Sequence, residues 1–118
     1  MAWKKPSLEL TVYLEDKLSA FECQKRTMFG CPSYFVNGNM MAGVFQEDIF
    51  IRLSEADRKD ISLSSDEVAP FEPIKGRKLK EYVVLPDSIY NDLDKFGIWL
   101  ERSYNYVSSV PAKNPKKR

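Results

Sequence analysis

Catalysis and metal binding need particular side chains, and this chain offers few of them in any pattern. It has no histidine and two cysteines, Cys23 and Cys31. Without histidine there is no Ser-His or Cys-His nucleophile pair, no imidazole base and no histidine-ligated zinc. The cysteines do not form a CxxC pair, and two thiols make no disulfide framework. They read as reduced, partly buried thiols; a redox pair is the sharper alternative, because both fall in strands that can be neighbours. No two carboxylates stand out from a surface background, so no catalytic residue, metal ligand or cofactor is expected. The remaining chemistry is cationic. Lys75, Arg77, Lys78 and Lys80 place four positive charges around Gly76, where the backbone can approach an anion. The cluster matches no phosphate loop, and it also reads as a solvated turn before an edge strand. Arg26, Tyr34, Arg52 and Arg77 are a second set, able to trap a small anion if the fold brings them together under one loop.

The elements that must position these groups follow from spacing. Between Arg26 and Leu53, two turn signals separate three apolar runs: Tyr34-Phe35-Val36, Met40 to Phe45, and Ile49-Phe50-Ile51. Asn37-Gly38-Asn39 and Gln46-Glu47-Asp48 are short enough for hairpins, so the stretch predicts a β-meander. A first strand is expected over 22–29, with a bend or bulge at Gly30-Cys31-Pro32-Ser33. Gly43 weakens its strand unless something packs closely on it. Ahead of the meander, Leu10, Leu14, Leu18 and Phe21 share a helical stripe after a Ser7 cap. Beyond it, Ser54 caps a short helix with Asp57 at the third position and Ile61 pointing inward. Residues 62–78 read as a long loop in which Phe71, between Pro70 and Pro73, is either a structural pin or part of a lid. Glu81 to Leu85 is a fifth strand. Pro86-Asp87 then opens a helix of about 20 residues whose stripe is Ile89, Leu93, Phe96, Leu100, Tyr104 and Val107. Trp99, Arg102 and Tyr106 lie outside that stripe and are the residues expected to face a partner.

Composition bounds the class. The 118 residues are 43% hydrophobic and 13% aromatic, enough for one folded domain over 1–110 followed by a basic disordered tail, 111–118. No apolar run approaches the roughly 18 residues of a membrane span, and the start lacks the apolar core of a secretory signal. A cytoplasmic location and no membrane contact are expected. Net charge is +1, but Lys4, Lys5, Lys113, Lys116, Lys117 and Arg118 hold six of the 18 positive charges. Removing them leaves 12 basic against 17 acidic side chains, a net −5 over residues 6–110. An acidic body is poorly matched to nucleic acid, so contact with phosphates rests on the tail and the Lys75–Lys80 cluster.

The order of these phrases resembles the N-terminal domain of the TfoX/Sxy family. The matching residues are Arg26-Thr27-Met28-Phe29-Gly30, the hairpin Tyr34 to Gly38, Met41-Ala42-Gly43-Val44, and Ile49 to Leu53. Pro70-Phe71, Gly76-Arg77 and Glu81 to Pro86 continue the match, which covers about residues 8–108. Cys31-Pro32 stands where the family often has a second glycine. The resemblance implies an α+β fold: an N-terminal helix, an antiparallel sheet of about five strands, a short inserted helix and a long C-terminal helix. It also implies a bacterial regulatory role. Relatives of the full architecture carry a further C-terminal helical domain and act with a cyclic-AMP receptor protein on genes for DNA uptake, that is, competence. No catalytic residue comes with the resemblance.

Three functions from different classes therefore stand as expectations. The first is a non-enzymatic regulatory domain that binds a protein partner, a transcription regulator by family likeness. The second is a nucleic-acid contact made by the tail and the Lys75–Lys80 cluster. The third is a small-anion site under the 62–78 loop. Monomer and homodimer are both compatible with the sequence.

Overall fold

The Asn37-Gly38 turn sets the geometry of the sheet. Both residues have positive φ, 52° and 81°, the backbone that lets a two-residue loop match strand twist. It joins strand β2 (Cys31–Val36) to β3 (Asn39–Phe45). Gln46, at φ 56°, turns β3 into β4 (Asp48–Arg52), and Phe45 pairs with Asp48 across that second tight loop. The computed structural model describes residues 8–28, 31–46, 48–65, 67–74 and 76–110; for residues 28, 73, 74 and 77–80 it describes the backbone alone. The Ser7 cap, Lys75 and the basic tail lie outside the described residues.

Helix α1 (Leu8–Leu18) precedes β1 (Gln24–Met28), and α2 (Glu55–Ser64) follows β4. Two further strands, β5 (Ala69–Ile74) and β6 (Arg77–Leu85), lead into α3 (Asp87–Tyr90) and α4 (Leu93–Ser109). The six strands form one antiparallel sheet in the order β1-β2-β3-β4-β6-β5. This is the expected α+β class with one strand more. The loop expected over 62–78 instead contains the end of α2, all of β5 and the start of β6. Strand β6 is consequently an interior strand, not an edge. Cys31, Pro32 and Ser33 belong to β2, Gly30 of the expected bend lies outside the described residues, and a ladder irregularity falls further along, between Tyr34 and Phe35. The final helix is two pieces, because Asp92 accepts from the backbone N–H groups of Asp94 and Lys95 and starts a new helix. Leu93 is thereby turned out to solvent, 61% exposed.

The sheet has one face covered by helices and another whose cluster, among the described residues, comes from strands alone. Leu14 and Leu18 of α1, Ile61 of α2, Ile89 of α3, and Phe96, Trp99, Leu100 and Val107 of α4 pack on Tyr34, Val36, Val44, Ile49, Ile51, Val83 and Leu85. Register explains how β3 fills this core. Tyr34 pairs with Ala42 and Phe35 with Met40, which leaves Met41 as the extra residue of a bulge. Met41 and Ala42 therefore both enter the helix-side core, each fully buried. Ser103 of α4, also fully buried, sits against that bulge with its hydroxyl 3.5 Å from the Met41 carbonyl oxygen.

The other face carries a second cluster built from strand residues: Phe35, Met40, Phe50 and Phe71, with Phe45, Tyr82 and Val84 around them. Phe71 stacks on Phe50 at 4.0 Å between ring centroids and is 2% exposed, which makes it a structural pin. Gly43 faces Phe50 across the β3–β4 ladder. A Cβ at Gly43 would lie 2.5 Å from Phe50 Cζ and 2.8 Å from the Pro32 carbonyl oxygen, so the ring takes the space a side chain would fill.

Candidate functional site

One network of polar side chains lies where α4 and α2 meet the end of β4 and the middle of β6. Arg52, the end of β4, directs its guanidinium at Glu81 of β6. Nε donates to Oε1 at 2.7 Å, and a second guanidinium nitrogen lies 2.5 Å from the same oxygen. Tyr106 of α4 donates its hydroxyl to the other Glu81 oxygen at 2.7 Å. The Tyr106 hydrogen bond, with the Arg52 pair behind it, holds the Glu81 carboxyl below its ordinary pKa. Arg52 also lies over the rings of Tyr82 and Tyr106, and Tyr82 donates to the Met40 carbonyl at 2.8 Å. One guanidinium thus ties two strands and a helix together.

A second guanidinium does the same for α2. Ser54 caps α2 by accepting from Asp57 N–H at 3.2 Å, as expected from the sequence. The capped first turn presents Asp57, and the next turn Asp60, to α4. Arg102 lies 2.6 Å from the Asp60 carboxylate and 3.4 Å from that of Asp57, with its guanidinium over the Trp99 ring. Arg58 donates to the Leu53 carbonyl at 2.6 Å and fixes the other side of the same turn.

These placements change the meaning of the residues chosen from sequence. Trp99, Arg102 and Tyr106 do come together on one side of α4. That side faces α2 and β6, and Trp99 is only 6% exposed. The outward side of α4 carries Ile98, Glu101 and Asn105 instead. Among its described members, Arg26, Tyr34 and Arg52, the expected anion set is not gathered. Tyr34 reaches the helix face and donates to Glu15 of α1 at 2.8 Å. Burial, then that carboxylate, push its phenol pKa up. Arg52 is neutralised by Glu81, and Arg26 lies on β1 over the Phe35 ring at 5.4 Å. Strands β2 and β3 intervene between Arg26 and Arg52, roughly 14 Å at normal strand spacing. The backbone of residues 77, 78 and 80 runs in β6; their side chains and Lys75 are outside what is described.

The thiols are separated in the same way. Cys23 precedes Gln24, which pairs with Phe35, whereas Cys31 pairs with Met28 at the opposite end of the same ladder. About five residues of strand, roughly 16 Å, divide them, far beyond disulfide reach. Burial raises both thiol pKa values, which disfavours the nucleophilic thiolate. Cys23 lines an open cleft of about 550 Å³ with Glu22, Gln24, Asn37, Tyr104 and Ser108. Among the described residues no group of three carboxylate or thiol side chains could hold a metal.

A family model described as the TfoX N-terminal domain matches residues 17–106. The chain belongs to the TfoX N-terminal domain family. The family match spans every strand, and the Arg52–Glu81–Tyr106 and Arg102–Asp60 clusters lie within it. Comparison with curated proteins finds no match. The sequence marks none of Glu15, Asp60 and Glu81 as a site residue, and marks Asp57 for its place in the cap of α2 alone. Asp57 and Asp60 carry the one usable signal, since residues three apart on a helix share a face. No helix among the described residues is long and apolar enough to cross a membrane.

Proposed function

We propose that this TfoX N-terminal domain is a non-enzymatic regulatory module that acts by binding another protein, in the manner of competence-type transcriptional control. The observation that carries this reading is where the polar chemistry goes. Arg52, Arg102, Tyr34, Tyr82 and Tyr106 each make a short contact to a carboxylate or carbonyl of the fold. Such groups hold helices on a sheet. A rigid frame of that kind suits a domain whose output is the shape it presents. Membership of the TfoX N-terminal domain family, together with the regulatory role that the sequence resemblance implies, supports the same reading.

The test is a nuclease-treated capture from cell lysate, with the full chain and with a chain ending at Val110. Retention of the same stoichiometric protein by both is the expected result. Recovery of nucleic acid alone, and only when the tail is present and nuclease omitted, overturns it in favour of an electrostatic contact by the tail and the Lys75–Lys80 segment.

A further inference from the structure

An open sheet has two edges, and here they are built differently. One edge is β5, Ala69–Ile74, which contains Pro70 and Pro73. Each proline removes a backbone N–H, so this edge is blunted against a further strand. The other edge is β1, Gln24–Met28, which has no proline. Residues 24–27 are all exposed, and no backbone hydrogen bond among the described residues joins β1 to anything but β2. In an antiparallel ladder, alternate residues turn their N–H and C=O groups away from the partner. About half of the backbone groups of β1 therefore face outward.

The charge on this edge is one-sided. Lys25 and Arg26 are its charged residues. Lys25 reaches Glu15 of α1 at 2.5 Å, whereas the Arg26 guanidinium lies over the Phe35 ring without a carboxylate partner among the described residues. A second copy pairing through this edge would bring two Arg26 guanidinium groups onto one short ladder, which like-charge repulsion disfavours. An acidic strand meets the opposite condition. We propose that β1 is a docking edge for an extended, acidic segment of a partner protein, added to the sheet as a seventh strand. Main-chain bonds to the outward side of β1 supply the register, and Arg26 selects for acidic side chains. The assignment rests on the interaction-module reading and names the surface and the chemistry of the partner.

The experiment titrates the isotope-labelled full chain with a short blocked peptide alternating glutamate and valine. A lysine–valine peptide serves as control, and amide shifts and hydrogen exchange are followed. The expected result is saturable shifts and at least tenfold slower exchange confined to Gln24–Met28 and neighbouring amides of β2, with affinity falling as salt rises. Arg26→Glu is expected to weaken the acidic peptide at least tenfold and to bind the lysine peptide instead. Three results overturn the proposal: no saturable shift at β1, equal binding of both peptides, or peptide-free protection of β1 that grows with protein concentration. Wild-type capture of a lysate partner by Arg26→Glu also overturns it, while leaving the interaction-module reading in place.

Discussion

Gly43 shows how much one absent side chain can decide. The Phe50 ring lies where its Cβ would be, and the Pro32 carbonyl closes the other side. Gly43→Ala is expected to cost about 1–3 kcal/mol, because neither neighbour can move without unstacking Phe71 or bending β2. A lowered urea midpoint with unchanged slope would show it. The sequence makes Gly43 a weak point in a strand, yet the aromatic that fills the gap comes from a cross-strand partner whose register is not written locally. Glu81 illustrates a second residue-scale effect. Its carboxyl pKa is held down in the fold by Tyr106 and Arg52. A depressed carboxyl pKa adds stability above the unfolded value of about 4.3, and that stability is lost as pH falls through the folded value. Tyr106→Phe is expected to raise the Glu81 pKa and flatten the acid limb of the stability curve, read by carboxyl NMR titration and by unfolding below pH 5.

Two contacts between elements differ greatly in weight. Arg102 joins α2 to α4, but its side chain is 41% exposed and its partner carboxylates are also solvated. Arg102→Ala is expected to cost no more than about 1 kcal/mol. Phe71 joins β5 to the strand-built cluster around Phe50 and is almost wholly buried. Phe71→Ala is expected to cost about 3–5 kcal/mol, so chemical denaturation should rank the two variants in that order. Sequence periodicity found α1, the meander and α2 because each has a local signal: an apolar stripe, an Asn-Gly turn, a serine cap. It missed β5 because Pro70 and Pro73 argue against a strand, and only an edge position lets them stay. It also ran α3 and α4 together. Pro86 and Asp92 are both adequate helix starts, and a stripe from Ile89 to Val107 bridges the break on paper. The direction in which Trp99, Arg102 and Tyr106 face was not legible either. Spacing says which residues share a side of a helix, whereas what packs on that side depends on α2 returning to it.

At the scale of the whole molecule, the sheet keeps its reactive groups apart. Cys23 and Cys31 sit at opposite ends of the β1–β2 ladder. Mild oxidant is therefore expected to leave both thiols titratable in the native chain, with no intramolecular disulfide seen by mass or gel mobility. The strand order has a further consequence for how the chain comes into being. Strand β6 lies between β4 and β5, yet it is the last of the three to be synthesised. From residue 52 to residue 85 is 33 residues, roughly 2–7 s of translation, during which β4 waits without its neighbour. The strand that emerges in that interval is β5, and Pro70 and Pro73 make it a poor substitute for the missing one. The prolines are thus expected to act in time as well as in space, leaving a place open on the nascent sheet for the strand that emerges last of the three.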